Sequence, residues 1–213
     1  MSYPFIVERS FGQETTVYLT EFTGPIDYSS VLARDTSLHI SQYDGPLRLD
    51  EIPFWIKRVS LTTCDGLTSL EGLSEQVEQL RLVNCQNVTS LSGLPENLRS
   101  LSLYGLDGVS VIDDVPEGVQ FLSLTRLPQL SDLSCLPGGI TSLHVTSCPQ
   151  LSVLPLREFL ESLTLEYGYR VSSPDGSYVI PDRVVYEEVE YRKLVTKYIA
   201  DGFSRKKRPS TVS

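Results

Sequence analysis

Two histidines and four cysteines are the residues of this chain best suited to chemistry, and their spacing limits what they can do. Cys64, Cys85, Cys135 and Cys148 contain no C-x-x-C pair, so neither a zinc knuckle nor a redox dithiol is expected. There is no Gly-rich phosphate loop, no G-x-S-x-G elbow and no H-E-x-x-H pair. The sequence therefore predicts no catalytic residue, no metal ligand set and no cofactor. Asn87-Val88-Thr89 has the form of a glycosylation acceptor and is read as a chance match.

What positions these residues is a repeat of 21 residues. From Val77 the chain reads V-x-x-L-x-L-x-x-C-x-x-V-x-x-L-x-x-L-P-x-x, and the template restarts at Leu98, Val119 and Ile140. An earlier unit starts at Ile56, and two degenerate units can be aligned from Glu14 and Asp35. A fixed period of this length marks a solenoid whose coils stack on one another. Positions 4 and 6 of each unit alternate at period two, which predicts a short strand over positions 3 to 7. Apolar positions 9, 12, 15 and 18 are three apart, which is no strand pattern, and so predict extended or 3-10 return arms. Pro53, Pro95, Pro116 and Pro137 all fall at position 19 of their units. The fold class expected is an α/β repeat solenoid with a parallel sheet.

The stacking places the chemical candidates. His39 and His144 share column 5 but are five coils apart, about 24 Å at ~4.8 Å per strand, too far to share a metal. Cys64 and Cys85 share column 9 on adjacent coils, within disulfide range at about 5 Å. Both should point inward as buried thiols. Cys135 falls on the return arm and is the thiol expected to be exposed.

L-x-x-L-x-L-x-x-(C/L)-x-x-L resembles the leucine-rich repeat family, strongly from about residue 35 to 170 and weakly from 14 to 34. The short unit ending in Leu-Pro is similar to the repeats of bacterial effectors and of some protist and large-virus proteins. The resemblance implies a horseshoe with its parallel sheet on the concave face. It also implies protein binding by that face. The family usually carries Asn at position 9, so turn hydrogen bonding is in question where Leu106 and Leu127 stand. Some such effectors carry a ubiquitin-ligase domain with a catalytic cysteine. No cysteine follows Cys148 here, which argues against that activity.

Outward columns 3, 5 and 7 are mostly Ser and Thr, as suits an exposed sheet. Arg58, Arg81, Tyr104, Phe121, Arg126, Tyr167 and Tyr169 rise from that field and are of the kinds that anchor interfaces. A cluster of Arg81, Tyr104, Phe121 and Arg126 on neighbouring coils is the expected centre of a protein-binding patch.

Residues 1–13 are read as an N-terminal segment or cap, 14–174 as a solenoid of about eight coils, and 175–203 as a C-terminal cap with one helix. The helix is expected over Val184 to Ala200, with Asp182 as N-cap, either sealing the last coil or docking a partner. Residues 204–213 are read as a disordered tail carrying Arg205, Lys206, Lys207 and Arg208. That tail is either a nuclear-localisation or acid-binding patch or simply a solvated end. Net charge is −9, and setting aside those four cations leaves −13 on the remainder. Such a body disfavours nucleic acid as a partner, except at the tail. No apolar run approaches the ~18 residues of a membrane span, and the N-terminus lacks a signal-peptide layout. An intracellular protein is expected, cytoplasmic or nuclear. The expected function is a non-enzymatic recognition module or adaptor with a protein partner. A structural subunit of a large macromolecular or viral assembly comes second, and an effector-type enzyme accessory is a distant third.

Overall fold

The structure is a computed structural model and describes residues 8–10, 15–20, 25–151, 153–155, 162–165, 170–172, 178–179 and 184–186. Its main sheet has ten strands. Seven of them follow one another in sequence and in space: β2 (Thr15–Thr20), β3 (Asp35–Ser41), β4 (Arg58–Thr62), β5 (Gln79–Val83), β6 (Ser100–Tyr104), β7 (Phe121–Thr125) and β8 (Ser142–Thr146). All pair in parallel, and β10 (Ser162–Leu165) continues the stack beside β8. A parallel sheet made of sequential strands, each rejoined by a return arm, is a solenoid. At one edge β1 (Glu8–Ser10) pairs antiparallel with β2, and at the other β13 (Val184–Tyr186) pairs antiparallel with β10. Each end of the parallel array therefore has its ladder continued by a reversed strand.

The register follows from the repeat. Leu38, Val59, Leu80, Leu101, Leu122 and Leu143 align as one column, and Ile40, Leu61, Leu82, Leu103, Leu124 and Val145 as another. Both columns are buried, while the residues between them are not fully covered. A one-residue slip would turn each strand's leucines outward, so burial itself holds the register. The degenerate units belong to the same ladder: β2 and β3 pair as Val17 with Leu38 and Leu19 with Ile40. Asp35 stands where the later coils carry an apolar residue, yet it is fully buried. Its carboxylate accepts the Leu32 N–H at 2.8 Å, and its own N–H donates to the Leu32 carbonyl. It is therefore retained as a turn clamp.

The return arms are chains of three-residue turns. Leu67 N–H donates to Cys64, Leu73 to Leu70 and Val77 to Ser74, and later coils repeat these bonds. A turn that closes over three residues explains why the inward positions are three apart. Short 3-10 turns at Tyr28–Ser30 and Leu49–Glu51 do the same in the first two coils. The third step shifts where proline intervenes. In the unit that starts at Asp35 the apolar position 12 falls on Pro46, but Pro46 is exposed and Leu47 is buried instead. Proline lacks the N–H that Leu67, Val88, Leu130 and Leu151 donate at this turn, so the chain closes differently there.

Among the described residues there is no α-helix. The expected helix from Val184 to Ala200 is not shown: Val184–Tyr186 is strand β13, and the rest of that segment lies outside the described residues. Paired backbone is extended, so the first turn of the expected helix is overruled by the β10 edge. A second sheet comprises β9 (Val153–Pro155), β11 (Arg170–Ser172) and β12 (Tyr178–Val179), in the order β12-β11-β9.

Candidate functional site

Two features of the backbone set the outward face. Strand residues in columns 3, 5 and 7 alternate with the buried leucines and so point away from the core. Column 8 then ends each strand in the left-handed region: Gln42, Thr63, Asn84, Gly105, Arg126 and Ser147 have φ between 52° and 62°. This conformation lets the column 8 N–H stay in the ladder while the next residue turns into the core. Thr63 donates to Val83, Asn84 to Tyr104 and Arg126 to Thr146. The left-handed column was not anticipated, although Asn84 and Gly105, two residues that tolerate it well, signal it.

Column 9 carries three of the four cysteines, Cys64, Cys85 and Cys148. Cys64, Cys85, Cys135 and Cys148 are all free thiols, and all but Cys135 are buried. Cys64 Sγ donates to the Ile40 carbonyl at 3.6 Å, Cys85 to Leu61 at 3.6 Å and Cys148 to Leu124 at 3.8 Å. Each single S–H also reaches a carbonyl of its own strand, Thr62 and Val83 at 3.6 Å and Thr146 at 3.4 Å, so it is shared between its coil and the one before, a contact that Leu106 and Leu127 cannot make. Contact with the Cys85 sulfur, and then burial, push the Cys64 thiol up. Held protonated inside the stack, Cys64 is a poor nucleophile.

The sequence-derived patch separates into parts. Tyr104 and Arg126 meet: Arg126 Nη1 donates to the Tyr104 hydroxyl at 3.1 Å, and the guanidinium lies 5.5 Å from the ring centroid. This geometry allows a cation–π contact. Phe121 stands at the other end of its strand, four residues from Thr125, the partner of Tyr104. That is about 13 Å along the strand direction. It is 41% exposed. Arg81 sits mid-strand between Ser60 and Ser102, exposed and away from both. The repeat columns give neighbouring coils but not distance along the strand. Tyr167, Tyr169 and the tail residues Arg205, Lys206, Lys207 and Arg208 lie outside the described residues.

Arg58 and Arg81 instead share a hollow of about 350 Å³ in the outward sheet face. Tyr18, His39, Gln79, Thr16 and four serines line it too, together with Leu38, Val59 and Leu80. Arg58 is held in place, with Nε donating to Ser37 Oγ at 2.6 Å and Nη2 to Thr36 Oγ1 at 2.9 Å. The Tyr18 and His39 rings touch, with centroids 5.4 Å apart. Burial, and then the Arg81 guanidinium, hold His39 below the usual histidine range. The sequence columns separate His39 from His144 but do not join His39 to the arginines. The signal that could have joined Tyr18 and His39 to the arginines is diagonal adjacency across β2 to β5, visible once the columns are aligned.

Columns 3, 5 and 7 from β2 to β8 contain no carboxylate. The acids stand on the two rims and along the return arms instead. Asp44, Asp65 and Asp107 follow the strand ends, and Glu75, Glu96 and Glu117 precede the next strands. Glu75 accepts the Glu96 N–H at 2.9 Å and Glu117 the Gly138 N–H at 2.8 Å, so these acids also tie coils together. Among the described residues no group of three or more His, Cys, Asp or Glu could hold a metal ion. Nor is any helix there long and apolar enough to cross a membrane. Comparison with known proteins finds no matching family model, no matching curated protein and no matching solved structure.

Proposed function

We propose that this chain is a leucine-rich repeat protein that binds another protein through the open face of its sheet and performs no chemistry of its own. One observation carries the reading. Large anchoring side chains, Phe121 and the Tyr104–Arg126 pair, stand on a sheet face whose other residues are mostly Ser and Thr. Flat polar ground with a few aromatic and arginine projections is how interface energy is commonly distributed. The Leu-Pro repeat and the coil-to-coil thiol bonds of column 9 support the family assignment. The burial of three of the four thiols supports a binding role over catalysis.

The test is affinity capture from cells expressing the tagged full chain, with crosslinking and mass spectrometry to locate contacts. A specific partner should crosslink to residues on β6 and β7. Phe121→Ala together with Arg126→Ala should reduce its retention about tenfold or more. Full retention by that double variant, or crosslinks confined to the return arms, would reject the reading.

A further inference from the structure

We propose that the hollow across β2 to β6 is a phosphomonoester site that receives a phosphorylated residue of an extended peptide. The inference rests on the reading that the sheet face binds protein, and it assigns the chemistry of one part of that face.

Four observations carry it. The first is the pair of guanidinium groups. Arg58 and Arg81 occupy columns 3 and 5 of adjacent strands, a diagonal separation of about 7–8 Å between backbones. Two long side chains at that spacing can close on one anion from both sides. Guanidinium groups match phosphate oxygens bidentately, which a point-charge ammonium cannot do. Arg58 is held toward β3 by Ser37 and Thr36, which engage its Nε and Nη2, so it is Arg81 on β5 that moves to a bound phosphate. Arg81 is exposed, and among the described residues it has no hydrogen-bond or ion-pair partner.

The second is charge complementarity. A chain of net charge −9 keeps every carboxylate off columns 3, 5 and 7 between β2 and β8 while placing two arginines there. Acids stand on both rims, with Lys57 and Arg99 interspersed at the starts of β4 and β6. A long polyanion such as nucleic acid would have to cross those rims, whereas one compact phosphate on a peptide reaches the cationic floor alone. The third is size and lining. A hollow of about 350 Å³ holds a phosphate together with the side chain that carries it. Ser60, Ser100 and Ser102 supply further donors.

The fourth is continuity with the rest of the face. Ser100 lines the hollow and is the ladder partner of Phe121. Arg58 and Phe121 share column 3, three strands apart, about 14 Å. Four extended residues span that distance at ~3.5 Å each. The matching ligand therefore carries its phosphate about four residues from a large apolar side chain.

The experiment uses the full chain and a degenerate library of fluorescent peptides with a central phosphoserine, phosphothreonine or phosphotyrosine. Binding is read by polarisation against the same peptides without phosphate. Selected phosphopeptides should bind about tenfold or more tighter than their unphosphorylated forms, and inorganic phosphate should compete. They should show an apolar residue enriched at the fourth position from the phosphate. Arg81→Met should lose about tenfold with an unchanged melting temperature, because that side chain makes no bond the fold needs. Arg81→Lys should lose less. Equal binding of phosphorylated and unphosphorylated peptides, or undiminished binding by Arg81→Met, overturns the proposal. If a protein partner is still captured through Phe121 and Arg126 while phosphate makes no difference, this inference fails and the broader reading stands.

Discussion

Column 8 shows how much a single residue position can ask of the backbone. Six coils place it in the left-handed region, where an L-residue with a full side chain is disfavoured by about 1–2 kcal/mol. Asn84 and Gly105 meet that demand cheaply, and Thr63, with a branched Cβ, meets it worst. Thr63→Asn should therefore raise stability by about 1 kcal/mol, read as a higher urea midpoint at unchanged slope. An unchanged or lower midpoint would sink the strain argument. Gly93 is the opposite case, with φ +88° and an added Cβ lying 2.7 Å from Glu71 N and 2.9 Å from Leu70 C. Those neighbours are backbone of the coil before and cannot rotate away. Gly93→Ala should cost about 2–3 kcal/mol, and a loss under ~0.5 kcal/mol would show that the arm relaxes freely. His39 makes a pH prediction. Its proton affinity is lower in the folded chain than in the unfolded one, so the unfolded state takes up the proton first as pH falls. Its contribution is complete above the unfolded value of about 6.5 and is lost as pH drops from there toward the folded value. His39→Gln should flatten that part of the stability profile, and identical profiles for the two proteins would contradict the assignment.

At the scale of elements, the strands are the part that sequence alone makes legible. Alternation at positions 4 and 6, repeated every 21 residues, leaves one register in which all the leucines are buried, and the ladder adopts it from β2 to β10. The contribution of one such leucine is testable: Leu103→Ala removes a side chain with 1% exposure and should cost about 3 kcal/mol by chemical denaturation. A cost below ~1 kcal/mol would mean that the coils close up around the gap. The return arms were legible only as a step of three, since spacing does not show which amide a proline withholds. That is why Leu47 and not Pro46 faces inward. Val184-Val185-Tyr186 is a short apolar run that fits helix or strand equally. Its partner Leu163–Leu165 is about twenty residues away in sequence, so no local pattern announces the pairing. The candidate site was legible in one dimension. Columns predict which residues stack, but they omit the ~13 Å along a strand that divides Phe121 from the Tyr104–Arg126 pair.

For the whole molecule, the consequence of stacking is that stability is shared between nearest neighbours. The inner strands β4 to β7 each have a coil on both sides, joined by ladder bonds and, in places, by thiol and carboxylate ties. Surface ion pairs add little to this: Lys57 and Glu78 meet at 2.7 Å, but both are about half exposed, and such pairs are worth well under 1 kcal/mol. A one-dimensional array opens from its ends, because an end coil gives up one interface and an inner coil two. Amide exchange should therefore be slowest around Leu82, Leu103 and Leu124 and faster at Val17 and Leu19 in β2. Leu103→Ala should reverse the order locally. Removing the central side chain weakens the interfaces of β6 with both β5 and β7, so protection there should fall below that of β4. Hydrogen exchange followed by mass spectrometry reads both profiles. One exchange rate shared by all strands, lowered equally everywhere by Leu103→Ala, would mean that the solenoid unfolds as a single unit and that coupling between coils exceeds the stability of any one of them.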